Sequence, residues 1–264
     1  SSGSRSGSTG SSIGSRGSRT YDQNGAKPIQ QSATPKPATA PQPQRRIRRI
    51  QPLSRGWFPQ RLRRSADLVH PTSMQPPEHR TEDHLERGLA FVREAPRDNG
   101  TVELIVRRPR VGEREVLEEA TLDVEIGLVG DGWNVRPSSK TPDGLRHPEM
   151  QVTLMASRAI EVIAGERANW ALAGDQLFVD LALGTDNLPP GTRLAIGSTI
   201  LEVTAPPHTG CAKFTARFGS AAMRWMNTPI GRSMCLRGIH AKVIAGGVIR
   251  RGDTIRKCDA PATK

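Results

Sequence analysis

Cys211 is the residue in this chain best suited to covalent or metal chemistry. It follows the run Pro-Pro-His-Thr-Gly at 206–210, in which the prolines exclude a helix interior and Thr-Gly predicts a turn. Four apolar residues then recur at helical spacing: Phe214, Phe218, Ala222 and Trp225. A helix is therefore predicted to begin near Cys211. The positive end of its dipole favours the thiolate, which is the form of cysteine that attacks sulfur and binds metals.

Three polar neighbours bear on the chemistry of this thiol. Lys213 and Arg217 add positive charge close to it in the sequence, and His208 can orient the thiol as a base or simply cap the start of the helix. The alternative for Cys211 is a buried cysteine that packs as a small apolar residue. The local sequence leaves both alternatives open.

Cys235 and Cys258 are the other two cysteines, and neither stands at a predicted helix start. Structural or exposed roles are expected for both. No Cys-x-x-Cys pair occurs, so a structural zinc site is not expected. The sequence shows no secretory signal, and an odd number of cysteines fits a reducing compartment. The predicted location is therefore the cytoplasm.

Short motifs follow one another in a fixed order over roughly residues 85–257. They are Gly127-Leu128-x-Gly130-Asp131, then Cys211-x-Lys213, then Arg237-Gly238-Ile239 and Gly252-Asp253. In this order and spacing they resemble the MOSC domain, the module named after the C-terminal part of molybdenum cofactor sulfurases. The resemblance implies a β-barrel fold and a role in binding the molybdenum cofactor or carrying sulfur for it.

The resemblance also implies roles for individual residues. Cys211 would ligate molybdenum or form a persulfide, with His208 beside it as a second catalytic residue. The cofactor is a pterin with a phosphate and a dithiolene that holds the metal. Lys213, Arg217 and Arg237 would bind its phosphate. Gly130 and Asp131 belong to the early glycine-rich loop, where the aspartate would bind the pterin or fix its own loop.

Several function classes remain open at this stage. Molybdenum-linked sulfur transfer or reductase chemistry is favoured, with molybdopterin as cofactor and a sulfur donor or a molybdoenzyme as partner. The main alternative is a non-catalytic binding module, which passes on its cargo or binds no cofactor directly. Gly127-Leu128-Val129-Gly130-Asp131-Gly132 is neither a P-loop nor a dinucleotide fingerprint, and no Gly-x-Ser-x-Gly elbow of a serine hydrolase occurs.

The charge distribution separates two parts of the chain. Residues 1–64 hold 13 Lys and Arg and a single acid, whereas residues 65–264 hold 25 of each sign. The first part is rich in Ser, Gly and Pro, so a disordered basic leader is predicted over residues 1–80 and a barrel domain over 81–264. RNA or an anionic surface is expected as a partner only through this leader. Met74 is a candidate native start, and no stretch is long and apolar enough to span a membrane.

The folded part is predicted to be mainly β with a few helices. Helices are expected from Thr81, from Ser157 to Ile163 and from near Cys211. The glycine-rich stretch at 127–132 and the stretch at 137–148 are expected to be irregular. Strands are expected around residues 102–106, 114–118, 150–154, 177–183, 194–196, 199–203, 238–245 and 248–257. Many short strands between glycine turns favour a β-barrel.

Overall fold

The computed structural model describes residues 77–138 and 141–259, together with the backbone of residues 68–69. The predicted leader lies almost wholly outside this range. One part of it is described, because residues 68–69 form a two-residue strand beside the barrel. Candidate start Met74 lies outside the described residues.

Twelve strands occur among the described residues, and seven of them close into a barrel. The strands are β1 (Leu68–Val69), β2 (Gly100–Arg107), β3 (Arg114–Leu117), β4 (Glu119–Asp123), β5 (Gly127–Leu128), β6 (Val152–Ala156), β7 (Leu177–Asp180), β8 (Arg193–Ile196), β9 (Thr199–Val203), β10 (Ile239–Ala245), β11 (Gly247–Arg250) and β12 (Thr254–Cys258). Around the barrel the order is β2, β12, β8, β9, β10, β6 and β7, and β7 pairs with β2 to close it. The predicted mainly β barrel is confirmed.

Most barrel pairs are antiparallel, and β6 and β7 are the parallel pair. Successive side chains of a strand point to opposite faces of the sheet. In β8 and β9 burial accordingly alternates residue by residue, and Leu194, Ile196 and Leu201 are fully buried. The first hairpin joins β2 to β3 as predicted, and β1 pairs with the far edge of β3.

The closing segment differs from the prediction of continuous strand over 248–257. A turn at residues 251–253 divides it, and Gly252 there adopts φ +88°. The first half, β11, pairs with β4 in a small separate sheet that also contains β5. The second half, β12, enters the barrel between β2 and β8. The apolar periodicity of the sequence could not show this change of sheet, because apolar and polar residues alternate in the same register in both halves of the segment.

In the part of the chain that the structure describes, four α-helices and three 3₁₀ helices cover the barrel. They are α1 (Glu82–Arg93), α2 (Ser157–Ala164), α3 (Ala212–Asn227) and α4 (Pro229–Ser233), with 3₁₀ helices at Gly132–Val135, Pro148–Met150 and Arg167–Ala173. The expected irregular stretch at 127–132 is thus only partly irregular, since it contains β5 and the first residue of a 3₁₀ helix. Within the described residues no helix is long and apolar enough to cross a membrane.

Helix α1 begins and ends where the sequence predicted. The Thr81 hydroxyl accepts a hydrogen bond from the His84 amide at 3.3 Å, and Glu82 and Asp83 lie in the first turn. Leu85, Leu89 and Val92 form its buried face. By contrast, Ser157 is not the cap of α2, which starts at Ser157 itself and has no side-chain cap.

Helix α3 begins directly after Cys211 and is interrupted at Gly219. There φ is +87° and ψ is +165°, so the hydrogen-bond ladder breaks between two helical segments. The predicted apolar residues Phe214, Phe218 and Trp225 are buried, which confirms the helical spacing. The interruption redirects the second segment toward α1, where Arg224 pairs with Glu82.

Candidate functional site

A cavity of about 490 Å³ opens at the start of α3, and its charge is strongly asymmetric. Eight cationic side chains line it, and no aspartate or glutamate is among its lining residues. The cations are Arg108, Arg110, Arg114, Arg136, Arg146, Lys213, Arg217 and Arg237. Cys211 and His208 line the same cavity, so the structure brings together both predicted catalytic residues and three predicted cofactor-binding cations. We refer to it below as the basic cavity.

One backbone segment organises four of these arginines. It is the end of the 3₁₀ helix and the residue after it, residues 171–174, whose carbonyl groups point toward the cavity. Each carbonyl accepts a hydrogen bond from a different guanidinium, at 2.5–3.2 Å. In chain order the donors are Arg114, Arg217, Arg237 and Arg108. A helix C-terminus leaves carbonyls without intrahelical partners, and guanidinium groups complete them here.

Two buried carboxylates hold two of the four arginines in place. Asp131 accepts from Nε and Nη2 of Arg108, each at 2.9 Å, and its side chain is fully buried. Asp175 accepts from Nη1 of Arg237 at 2.7 Å and is likewise fully buried. Burial raises the pKa of Asp175, while Arg237 acts in the opposite direction. Both acids lie behind the cavity wall, where they position a guanidinium rather than face the cavity.

The early glycine-rich motif therefore lies outside the lining of the basic cavity. Asp131 also accepts from the Trp133 amide at 2.9 Å and so fixes its own loop, which was one of its two expected roles. Gly130 has φ +82°, and a Cβ there would lie 2.9 Å from the Arg107 side chain. The pterin-binding role expected for Gly130 and Asp131 stays a prediction.

The remaining six cations include one that is ion-paired, since Arg110 lies 3.5 Å from Glu113. Among the described residues no carboxylate pairs with Arg114, Arg136, Arg146, Lys213 or Arg217. Burial and neighbouring guanidinium groups, Arg217 first among them, lower the pKa of Arg114 to about 10. Desolvation and Arg108 lower the pKa of Arg136. Burial is the largest cause of both pKa shifts, and neighbouring cations add to it while Asp131 opposes it, so the positive charge here is only partly compensated.

Cys211 is exposed at the rim of this cavity. Its backbone is extended, with φ −133° and ψ +169°, and it occupies the position just before α3. The alternative of a buried, packed cysteine is therefore wrong for Cys211. Cys235 and Cys258 are both half-buried and do not line the basic cavity.

His208 lies in a wall between the basic cavity and a second cavity of about 360 Å³. Its ring packs against His240 with centroids 4.5 Å apart, and its Nδ1 is 3.5 Å from Oδ1 of Asp175. Gly238 allows this packing, because a Cβ there would lie 2.2 Å from the Leu154 carbonyl and 3.1 Å from His208. Thus the Arg237-Gly238 motif supplies both an ordered cation and space for the histidine.

The described residues offer no metal site made of protein ligands alone. They contain no group of three or more His, Cys, Asp or Glu side chains arranged to hold a metal ion. Cys211 can supply a single thiolate. A metal at this position would have to arrive with most of its ligands already in place.

The sequence analysis missed several cavity residues. Arg108, Arg110, Arg114 and Arg136 come from the first hairpin and from the loop after β5, 70 or more residues before Cys211. In the sequence these arginines are interspersed with acids. Nothing in the sequence shows that the cavity lining excludes Glu113, Glu115 and Glu118. The clustering is a consequence of barrel closure, which brings β2 beside β7.

Comparison with known proteins finds one domain family and several solved structures that are similar to this chain. The family model of the MOSC domain matches residues 145–256. The YuaD protein of Bacillus subtilis is a similar solved structure, with 16% identity, a TM-score of 0.45, and coverage of 62% of this chain and 97% of that one. YiiM of Escherichia coli has 18% identity, a TM-score of 0.40, and coverage of 62% and 72%.

YiiM of Geobacillus stearothermophilus is similar at 15% identity, with a TM-score of 0.36 and coverage of 61% of this chain and 73% of that one. No curated protein matches the chain significantly. The family match spans β6 to β12 and includes both Cys211 and Arg237. Over residues 145–256 it confirms the resemblance to the MOSC domain family that the sequence motifs predicted.

Proposed function

We propose that this protein binds the molybdenum cofactor in the basic cavity, with the Cys211 thiolate as ligand to the metal or as carrier of a persulfide sulfur. The observation that supports it best is the position of Cys211 at the rim of a cavity lined by eight cations and no acid. An anionic group and a soft metal or sulfur centre could therefore be bound at one site.

The donor set fits this cofactor. Because Cys211 is the one thiolate available in the cavity and no larger ligand group exists among the described residues, a metal already chelated by a dithiolene suits the site better than a free ion. Bound there, the cofactor would supply molybdenum for sulfur transfer or reduction. Lys213 and Arg217 remain the predicted phosphate-binding residues, joined now by Arg114. Arg237, the third such residue predicted from the sequence, is bound to Asp175 and would contribute by fixing the cavity wall.

The protein's own groups would contribute orientation and proton handling. His208 lies against a buried carboxylate and a second histidine, an arrangement that holds its ring in one orientation. It is three residues from Cys211 and lines the same cavity, so we propose that it moves protons at the thiol or at a bound substrate. A reducing compartment such as the cytoplasm would keep the Cys211 sulfur reduced and out of disulfides.

A non-catalytic carrier is the second candidate, and a specific observation favours it. Cys211 is exposed, so a bound sulfur or metal would be accessible to a partner protein such as a sulfur donor or a molybdoenzyme. Binding of RNA or an anionic surface through the basic leader concerns residues outside the described range. The leader's role therefore stays a separate prediction.

The test is purification from a host that makes molybdopterin, followed by metal analysis and pterin fluorescence. If Cys211 is a metal ligand, Cys211→Ser should lose most of its molybdenum, while the matched variant Cys258→Ser keeps it. If Cys211 carries sulfur, mass spectrometry should find one additional sulfur atom on its peptide after treatment with a sulfur donor. Wild-type protein without pterin, molybdenum or a persulfide would refute both forms of the proposal.

A further inference from the structure

Apart from Arg110, which is ion-paired with Glu113 at 3.5 Å, the cations of the basic cavity fall into two groups with different tasks. In the first group are Arg108 and Arg237. Arg108 donates from Nε, Nη1 and Nη2 to Asp131 and to the Gly174 carbonyl. Arg237 donates from Nη1 and Nη2 to Asp175 and to the Ala173 carbonyl. Their charges are neutralised and their main donors are occupied, so they form the scaffold of the cavity.

The second group keeps donors and charge available. Arg217 uses only Nη1, on the Leu172 carbonyl, and Arg114 uses Nε and Nη1 on backbone carbonyls. Within the described residues the Arg136 side chain makes no hydrogen bond or ion pair. The backbone carbonyls orient Arg114 and Arg217 without cancelling their charges. We call Arg114, Arg136 and Arg217 the open arginines.

The charge around the open arginines exceeds what one phosphate group would balance. A phosphate monoester carries about −1.5 to −2 at neutral pH. Against it stand the open arginines together with Lys213 and Arg146, all without acidic partners in the described part of the chain. The pKa of Arg114 is lowered first by burial and then by Arg217 and other neighbouring cations, so crowded positive charge adds to the cost of keeping this guanidinium charged. A ligand with adjacent anionic groups would relieve this repulsion.

We propose that the open arginines bind a diphosphate group, free or carried by a nucleoside. Two linked phosphoryl groups offer more acceptor oxygens and at least one more negative charge than a single phosphate. Guanidinium groups bind such oxygens in pairs, and several guanidinium groups can share one diphosphate. The inference rests on the proposed function only in that both place an anionic ligand in the basic cavity.

The experiment is isothermal titration of the full chain, purified from a host without molybdopterin, in a buffer free of phosphate and divalent cations. The probes are inorganic diphosphate, inorganic phosphate and ADP at matched ionic strength. Diphosphate should bind at least about tenfold more tightly than phosphate, because it engages more charge-assisted hydrogen bonds. If ADP and diphosphate bind with comparable affinity, the site recognises the diphosphate group itself. If ADP binds more tightly, the site also recognises the nucleoside that carries the diphosphate.

Variants locate the site. Arg136→Gln is the most informative, since this side chain holds no part of the fold, and it should weaken diphosphate binding about tenfold. Arg217→Gln should do the same. Arg250→Gln removes the same charge from β11, remote from the cavity lining, and should change the affinity less than about twofold. Equal affinities for phosphate and diphosphate, or an equal loss in Arg250→Gln, would overturn the inference.

The outcome is independent of the metal chemistry. Cys211→Ser should bind diphosphate as the wild type does, because the thiol is no part of the open arginines. If diphosphate fails to bind but protein from a competent host contains molybdenum and pterin, this inference is wrong and the proposed function stands. If diphosphate binds and no cofactor is found, the proposed function is wrong and this inference stands.

Discussion

At the scale of single residues, exposure separates the three thiols. Cys211 is exposed at the start of α3, whereas Cys235 and Cys258 are half-buried. Burial raises the pKa of Cys235, and the nearby Asp186 acts in the same direction. At neutral pH we expect iodoacetamide to alkylate Cys211 fastest, and peptide mass spectrometry over time can rank the three. If Cys235 is alkylated as fast as Cys211, solvent exposure does not control the alkylation rates of these thiols.

The Arg237–Asp175 pair gives a second prediction at this scale. Arg237→Met leaves the Asp175 carboxylate buried without its ion-pair partner, which should cost about 3–5 kcal/mol at neutral pH. The pKa of Asp175 is already raised by burial, and loss of the cation raises it further. An acid with a raised folded-state pKa stabilises the fold below its unfolded pKa and loses that contribution as the pH rises through the folded value.

The loss in Arg237→Met should therefore shrink on acidification from neutral pH to about pH 5, as Asp175 takes up a proton. Urea unfolding at both pH values measures this difference, with Arg250→Met as an exposed control. An equal loss of stability at both pH values would mean that the cost comes from lost packing, such as the contact of Arg237 with the Phe214 ring.

At the scale of elements, Gly219 allows one chain segment to serve two surfaces. Before it, α3 carries Arg217 into the basic cavity, and after it Arg224 reaches α1. Gly219→Ala should destabilise the fold by about 1–3 kcal/mol, since L-residues avoid this backbone region. Its Cβ would also lie 2.9 Å from the His79 ring. In urea unfolding the cost should exceed that of Gly252→Ala, where φ is +88° but nothing lies within 4 Å.

The same helix shows how far sequence patterns reach. The spacing of Phe214, Phe218 and Trp225 correctly predicted which face is buried, because the break at Gly219 preserves that face. The break does turn Arg217 and Arg224, seven residues apart in the sequence, toward different surfaces. Glycine is tolerated inside many helices, so its presence in the sequence does not reveal a break. The role of the four carbonyl groups at residues 171–174 could not be predicted either, because every residue has a backbone carbonyl and the sequence does not show which ones accept hydrogen bonds from arginines.

At the scale of the whole molecule, formal charge conceals the binding surface. Residues 65–264 carry equal numbers of positive and negative side chains, which indicated a domain without net charge. In the fold, acids such as Glu118 and Glu119 pair with arginines on β11 and in the turn after it. In the basic cavity five of the eight cations have no acidic partner among the described residues. Net charge is therefore a poor guide where folding separates the two signs.

The extent of the folding unit gives the last prediction. Among the described residues the apolar core runs from Leu85 to Ile255, and α1 contributes a buried face to it. A chain that starts at residue 77 keeps all of this core, so its thermal midpoint should stay within about 3 °C of the full chain. A chain that starts at residue 98 loses the buried side chains of α1, each of which contributes about 1.5–3 kcal/mol of burial, and should fail to fold or melt far lower.

Differential scanning calorimetry of both truncations measures this boundary. The comparison also tests β1, which pairs with β3 through the Val69–Arg114 register and is absent from both shortened chains. Because Arg114 is an open arginine, diphosphate titration of the chain starting at residue 77 should match the full chain if β3 keeps its position without β1. A drop of many degrees, or a loss of diphosphate affinity, would show that residues before 77 belong to the barrel domain.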